Sequence, residues 1–116
     1  MDTFIPKPKI SKVYAEIVNR RNECIYDLLI SCGLRINELK RINISDVNLD
    51  NCTLKIRGMG NNEWTVFIPI ETACLLEVII GNRDDKEPLF VNRYNSRISD
   101  THLGRICKLD KYEQVP

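Results

Sequence analysis

Apolar residues recur at helical spacing in two stretches near the start of the chain. Ser11, a residue type that caps helices, precedes the first stretch, which predicts a helix over residues 11–19. The second stretch predicts a helix over residues 22–32, because its apolar residues repeat every three or four positions: Cys24, Ile25, Leu28, Leu29 and Cys32. Gly33 then ends this helix, since glycine readily adopts the backbone that closes a helix.

Three more helices follow from the same reasoning. In the first, Leu34, Leu39 and Ile42 would face a core. Arg35 and Glu38 would lie three apart on another face, where an ion pair between them is geometrically natural. The expected bounds of the three helices are residues 35–42, 70–80 and 99–109.

Alternating apolar and polar residues predict a β-hairpin in the middle of the chain. Its strands are expected over residues 52–57 and 64–68, with a glycine-containing turn between them. Residues 89–91 are a further short strand candidate. Two prolines near the start, at positions 6 and 8, predict an extended lead-in over residues 1–10. Together these elements predict one α+β domain over residues 1–116, mainly α, with a small antiparallel sheet.

Charge and hydropathy narrow the classes of partner. Lys plus Arg number 17 against 16 Asp plus Glu, so the net charge of +1 gives no global attraction to DNA or to an anionic membrane. Any nucleic-acid role therefore needs a local basic patch. The longest apolar stretches fall well short of the roughly 20 residues that a membrane span needs. Because the chain also opens without a signal-peptide pattern, we expect no membrane partner and a cytoplasmic protein.

Cysteine and histidine usage argues against a metal site. The five cysteines are scattered, odd in number and without a CxxC pair, which does not fit a disulfide framework or a zinc site. Reduced cytosolic thiols are the expected state. His102 is the only histidine, so a histidine-based metal cluster cannot form within the chain. We expect no metal, no cofactor and no small-molecule substrate.

One long string of residues carries a family resemblance. Arg21–Leu29 followed by Ser31–Leu39, which contains Gly33-Leu34-Arg35-Ile36-Asn37-Glu38-Leu39, closely resembles the segment of tyrosine recombinases that ends in G-(L/M)-R-x-(S/N)-E-L. The resemblance continues in register over nearly the whole chain, through Ile44–Val47, Gly58–Trp64, Ile68–Pro69, Pro88–Phe90 and Ser99–Ile106. It implies the N-terminal part of a helical, phage-integrase-type catalytic domain.

The resemblance also implies a chemistry, which is DNA strand cleavage and rejoining through a tyrosine nucleophile. In that family the arginine of G-L-R grips the scissile phosphate, and by position this arginine is Arg35, with Glu38 as its structural support. A guanidinium offers a planar fork of donors that suits two phosphate oxygens. We expect Arg35 to join a local DNA-facing patch whose other members are Lys40, Arg41, Lys55 and Arg57. For Lys40, Arg41 and Lys55, a merely solvated surface is an equal alternative.

Three departures from the family pattern bear on catalysis. The hairpin lysine that acts as a general acid falls on Met59, which can neither donate a proton nor carry charge. The string His102 to Arg105 satisfies a bare H-x-x-R pattern by chance, because it lacks the surrounding family text. The tyrosines also lack the context of the nucleophile: Tyr14, Tyr26, Tyr94 and Tyr112.

Three functional hypotheses follow. The favoured one is an incomplete recombinase or a truncated relative that binds double-stranded DNA without cleaving it, with other recombinase protomers as further partners. The second is a non-catalytic module that binds a partner recombinase or occupies its DNA site, which Met59 favours. The third is a small α+β domain that resembles the family in fold only.

Overall fold

Four α-helices and a three-stranded sheet make up the part of the chain that the computed structural model describes. It describes the backbone of residues 7–114 and the side chains of Lys12 and of residues 15–107. The α+β prediction is confirmed, and about half of the chain is helical. In chain order the elements are α1 (Lys7–Cys32), α2 (Ile36–Lys40), β1 (Val47–Asn48), β2 (Thr53–Arg57), β3 (Glu63–Phe67), α3 (Ile70–Ile80) and α4 (Asp100–Gln114).

Helix α1 is continuous, and the prediction of two separate helices over residues 11–19 and 22–32 is wrong. Nothing in the intervening sequence breaks a helix. Arg20, at the expected break, instead lies 3.2 Å from a carboxylate oxygen of Glu16 and 3.7 Å from one of Glu23. The partners in these pairs are four and three residues apart, as neighbours on one face of a helix are. The two pairs lie on either side of the expected break.

The extended lead-in over residues 1–10 is wrong for residues 7–10, which form the first turn of α1. Pro8 is compatible with this position, because the first N–H groups of a helix have no acceptor within the helix and a proline there removes no hydrogen bond. Residues 1–6 lie outside the described part of the chain.

The sheet has the order β1-β2-β3, and both pairs of strands are antiparallel. The predicted hairpin is confirmed to within a residue or two at each strand end, with Thr53 opposite Phe67 and Arg57 opposite Glu63. In β2 the side chains of Leu54 and Ile56 are fully buried, as the alternation predicts. Strand β1 is only two residues long, too short to leave a pattern in the sequence.

No regular strand forms over residues 89–91, so that prediction is wrong. Two isolated bridges flank the segment, one between Asn43 and Pro88 and one between Val91 and Arg97. Leu89 and Phe90 are each 1% exposed, and their burial in the core produced the strand-like pattern. The predicted bounds of α3 are confirmed, whereas α2 is shorter than residues 35–42 and α4 extends past residue 109.

A single core cluster combines buried residues of all four helices with the inward-facing side chains of β2. Helix α3 packs on α1, and the short α2 packs on α4. Fully buried leucines from every layer contribute to it: Leu28, Leu39, Leu54, Leu76 and Leu103. No disulfide joins any of the five cysteines, all of which lie in the described part of the chain. In the described part of the chain, no helix is long and apolar enough to cross a membrane.

Asp46 is a buried carboxylate that joins the loop after α2 to the sheet. Its Oδ2 accepts the backbone N–H of Asn43 at 2.9 Å, and its Oδ1 accepts a guanidinium N–H of Arg57 at 2.8 Å. The Asp46 side chain is only 4% exposed, whereas that of Arg57 is 37% exposed. A buried carboxylate costs free energy unless it accepts hydrogen bonds, so the burial of Asp46 depends on these two donors.

Replacing Asp46 by alanine should lower the free energy of unfolding by about 2 kcal/mol, because the buried N–H of Asn43 and the Arg57 guanidinium lose their acceptor. Urea denaturation would measure the loss. Asp50→Ala is the matched control, since Asp50 is an exposed carboxylate in the neighbouring turn. Equal stability losses in the two variants would show that Asp46 is not a structural anchor.

Candidate nucleic-acid interface

Arg35 lies in the junction between α1 and α2, and the junction is fixed on both sides. Gly33 has φ of +66°, which turns the chain sharply after α1, and its N–H donates to Leu29 O at 3.1 Å. Leu34 is buried, with 6% of its surface exposed. Arg35 follows in extended conformation as the N-cap of α2, and its side chain is exposed. The junction therefore presents Arg35 to solvent from an anchored backbone.

Glu38 supports this junction through the backbone. Its Oε1 accepts the backbone N–H of Arg35 at 2.8 Å, which is the acidic half of a capping box. The side-chain ion pair expected between Arg35 and Glu38 does not form. Within the described residues, the Arg35 guanidinium has neither a hydrogen-bond acceptor nor a carboxylate partner.

Lys40 and Arg41, at the end of α2, both have partners within the chain. The Lys40 ammonium lies 3.3 Å from a carboxylate oxygen of Asp100, which links α2 to the start of α4. Arg41 donates from Nη1 to the carbonyl oxygen of Gly58 at 2.7 Å. Arg41 thereby links α2 to the turn end of the hairpin, whereas the exposed Lys40 pair is of the kind that contributes little to stability.

Lys55 and Arg57 project from β2 and both approach Glu63 on the facing strand, at 3.7 Å. These two contacts are long and solvent-exposed, so they restrain the side chains only weakly. The 2.8 Å contact of Arg57 with buried Asp46 is much stronger and fixes that guanidinium. Four of the five predicted DNA-facing cations therefore have intramolecular partners, and the contacts of Arg41 and Arg57 both lie at the turn end of the hairpin.

The hairpin turn carries Met59 at its tip. Gly58 donates its N–H to Asn62 O at 2.9 Å and closes the turn, while the Met59 side chain is 70% exposed. A Cβ at position 58 would come within 2.9 Å of the Trp64 ring, so the close approach of this ring requires glycine. The position that matches the family's lysine therefore projects a neutral thioether into solvent.

Two structural arginines had no signal in the sequence. Arg97 donates to Lys40 O at 2.7 Å and to Asn43 Oδ1 at 2.5 Å, which fixes the end of α2. Arg83 donates to the carbonyl oxygens of Ile79, Leu89 and Pro88 and closes the connection after α3. In both cases most acceptors are backbone carbonyls, which leave no mark on the amino-acid pattern.

The remaining residues that the sequence analysis considered lie elsewhere. His102 is half-buried on α4, and its pKa lies below its usual value, because burial disfavours the charged imidazolium and because Arg21 and Arg105 repel it. Tyr26 is half-buried on α1, and Tyr94 is 75% exposed in the connection before α4. The side chains of Tyr14 and Tyr112 lie outside the described residues.

Comparisons with known proteins agree on one family. The model of the phage integrase family matches residues 5–114. The tyrosine recombinase XerC of Chromobacterium violaceum is 34% identical over 91 residues, covering 76% of this chain and 30% of the relative. XerC of Thermodesulfovibrio yellowstonii is 31% identical over 103 residues, covering 80% of this chain and 34% of the relative. The chain therefore spans about a third of the length of these relatives.

A solved structure shares the fold. The crystal structure of XerA recombinase matches 91% of this chain and 39% of that chain, with a TM-score of 0.68 at 22% sequence identity.

The capping contact of Glu38 predicts a difference between two substitutions. Glu38→Ala should lower the free energy of unfolding by about 1 kcal/mol, since the N–H of Arg35 loses its acceptor. Glu38→Gln should cost much less, because its amide oxygen can still accept that N–H. Thermal melts of both variants would test this. An equal loss in the two variants would mean that the negative charge of Glu38 matters and the capping contact does not.

Proposed function

This chain belongs to the phage integrase family of tyrosine recombinases, and we propose that it binds the phosphate backbone of double-stranded DNA through Arg35 as part of a site-specific recombinase. The observation that carries the proposal is an arginine without an intramolecular partner among the described residues, on a backbone held by Leu34 and Glu38. A guanidinium in this state binds an incoming phosphate without first breaking an ion pair.

The neighbouring cations divide into two groups in this proposal. Lys40 and Lys55 take part only in exposed ion pairs, which exchange readily for contacts with DNA phosphates. Arg41 and Arg57 act mainly as structural residues that hold α2 and the hairpin in place around Arg35. Binding is weak because few free cations face DNA. Because the contacts are with phosphates, binding is independent of base sequence and weakened by salt.

In the family's reaction, a tyrosine phenolate attacks the scissile phosphorus and the 5′-oxygen departs with a proton. Arg35 would bind the non-bridging oxygens and stabilise the charge that develops on them. Met59 cannot supply the proton to the departing oxygen. Within these 116 residues the sequence also lacks the family's H-x-x-R text and the context of its tyrosine, so the polypeptide would bind DNA without cutting it.

A second candidate function is a non-catalytic module that binds a partner recombinase or occupies its DNA site. Met59 favours this candidate. It is 70% exposed at the hairpin tip, so the fold would tolerate a lysine there equally well and does not itself require a methionine. In that case the hairpin tip would contact a protein and Arg35 would still contact DNA.

Arg35→Gln should weaken binding to a labelled duplex by about tenfold, which corresponds to the loss of one charge-assisted hydrogen bond of about 1.5 kcal/mol. It should also reduce the slope of log affinity against log salt concentration by about 1. Titrations at several ionic strengths would measure both quantities. The melting temperature should stay unchanged, because the Arg35 side chain is exposed.

Lys86→Gln is the matched control for this experiment, since it removes the same charge from an exposed loop on another part of the chain. It should leave the affinity nearly unchanged. If both variants weaken binding equally, the effect is one of net charge and the proposed role of Arg35 is wrong. A large loss of stability in Arg35→Gln with unchanged binding would make Arg35 a structural residue.

The 116-residue polypeptide should form no covalent adduct with a nicked suicide DNA substrate. One arginine supplies only part of the electrostatic stabilisation that the transfer needs, and Met59→Lys should not create cleavage, because the nucleophile and the second arginine are still missing. A denaturing gel would reveal an adduct as a shifted, protease-sensitive DNA band. A band that appears and disappears on Tyr112→Phe would overturn this prediction.

A further inference from the structure

A second basic surface lies between the middle of α1, the connection before α4 and the first turns of α4. We call it the basic cleft, and its cavity volume is about 470 Å³. Its polar lining consists of Arg21, Asn92, Arg93, Ser99, His102 and Arg105. Among the residues that the structure describes, no Asp or Glu lines it. The cleft therefore concentrates positive charge in a chain whose net charge is only +1.

Hydrogen bonds fix the wall of the cleft before any ligand binds. Arg21 donates from Nη1 to Val91 O at 3.0 Å and from Nη2 to Asn22 Oδ1 at 2.8 Å, so its guanidinium is held in one orientation. Asn92 Oδ1 accepts the backbone N–H of Tyr94 at 2.8 Å, which shapes the opposite wall. The cleft therefore has a fixed shape before an anion enters it.

Two further guanidinium groups are available at the mouth of the cleft. Arg93 lies over the ring of Tyr94, 5.5 Å from its centroid, and is exposed. Arg105 is exposed on α4 and, within the described residues, has no hydrogen-bond or ion-pair partner. His102 and Arg105 are three residues apart and face the same side of α4. His102 and Arg105 match the H-x-x-R pattern only by chance, but their spacing places two basic side chains in one cleft.

We propose that the basic cleft binds a phosphate group. Planar guanidinium groups match the oxygens of phosphate, and the hydroxyl of Ser99 and the amide of Asn92 add neutral hydrogen-bonding groups to the lining. The phosphate comes either from a nucleic-acid backbone or from free phosphate, and both present the same oxygens. Arg21 lies about 11 residues before the end of α1, roughly 16 Å along the axis, so this site is separate from Arg35 and does not depend on its proposed role.

The charged state of His102 reports on the occupancy of the cleft. The basic and phenolic groups around it come from three elements: Arg21 on α1, Arg93 and Tyr94 in the connection, and Arg105 on α4. Burial and the repulsion from Arg21 and Arg105 lower the pKa of His102 in the empty cleft. A bound phosphate adds negative charge beside the imidazole and favours its protonated form. The pKa of His102 must therefore rise on binding, and phosphate must bind more tightly below that pKa.

His102 can be observed selectively because it is the only histidine in the chain. The experiment follows its imidazole Hε1 signal by NMR during pH titrations of the 116-residue protein. Three conditions are compared at equal ionic strength: sodium chloride alone, inorganic phosphate, and a short DNA duplex. We expect phosphate to raise the pKa of His102 by about half a unit or more relative to chloride. A response to both phosphate and duplex identifies a nucleic-acid backbone as the source, and a response to phosphate alone identifies free phosphate.

Variants separate a specific site from a general charge effect. Arg105→Gln and Arg93→Gln should each weaken phosphate binding at least about fivefold, measured from the change in the His102 signal with phosphate concentration. Lys86→Gln, which removes the same charge outside the cleft, should retain the full response. The proposal is overturned if phosphate shifts the pKa of His102 no more than chloride does, or if Lys86→Gln weakens binding as much as Arg105→Gln.

Discussion

The arrangement around Arg35 depends on hydrogen-bond donors that hold the short helix α2 from outside. A helix of five residues has almost no stability of its own, because forming the first turn costs more than its few hydrogen bonds return. Arg97 donates to the carbonyl oxygen of Lys40, at the end of this helix, and Arg41 donates to the hairpin at Gly58. Glu38 caps the other end, and Leu39 fills the core beneath it. Helix α2 is therefore ordered by tertiary contacts.

The arginines of this chain perform two different physical tasks. Arg83 and Arg97 use their fork of donors to bind backbone carbonyls, which lie in the connection after α3 for Arg83 and at the end of α2 for Arg97. Arg35 and Arg105 have no such acceptor within the described residues and direct their charge outward. The same side chain thus serves as an internal clamp or as a ligand for an anion, and sequence composition does not distinguish the two.

The sequence predicted the features that depend on local pattern. The bounds of α3 and the two strands of the hairpin follow from apolar spacing and turn residues, and Arg35 is exposed. Features that depend on distant contacts were missed. The segment 89–91 is buried as a connection although its pattern resembles a strand, whereas the continuity of α1 is a local feature that the division into two apolar stretches misread. The clamp of Arg97 joins residues 57 positions apart and leaves no periodic trace.

The unbroken course of α1 has a geometric consequence for the whole chain. A helix turns once in 3.6 residues, so Arg21 and Cys32 are about three full turns apart and lie on nearly the same side of the cylinder. The angular phase between the middle of α1 and the Gly33 turn is therefore set by residue count alone. One residue inserted between them would rotate the turn by about 100° relative to Arg21 and move it by only about 1.5 Å. The number of residues between Arg21 and Gly33 is therefore constrained more tightly than the identity of those residues.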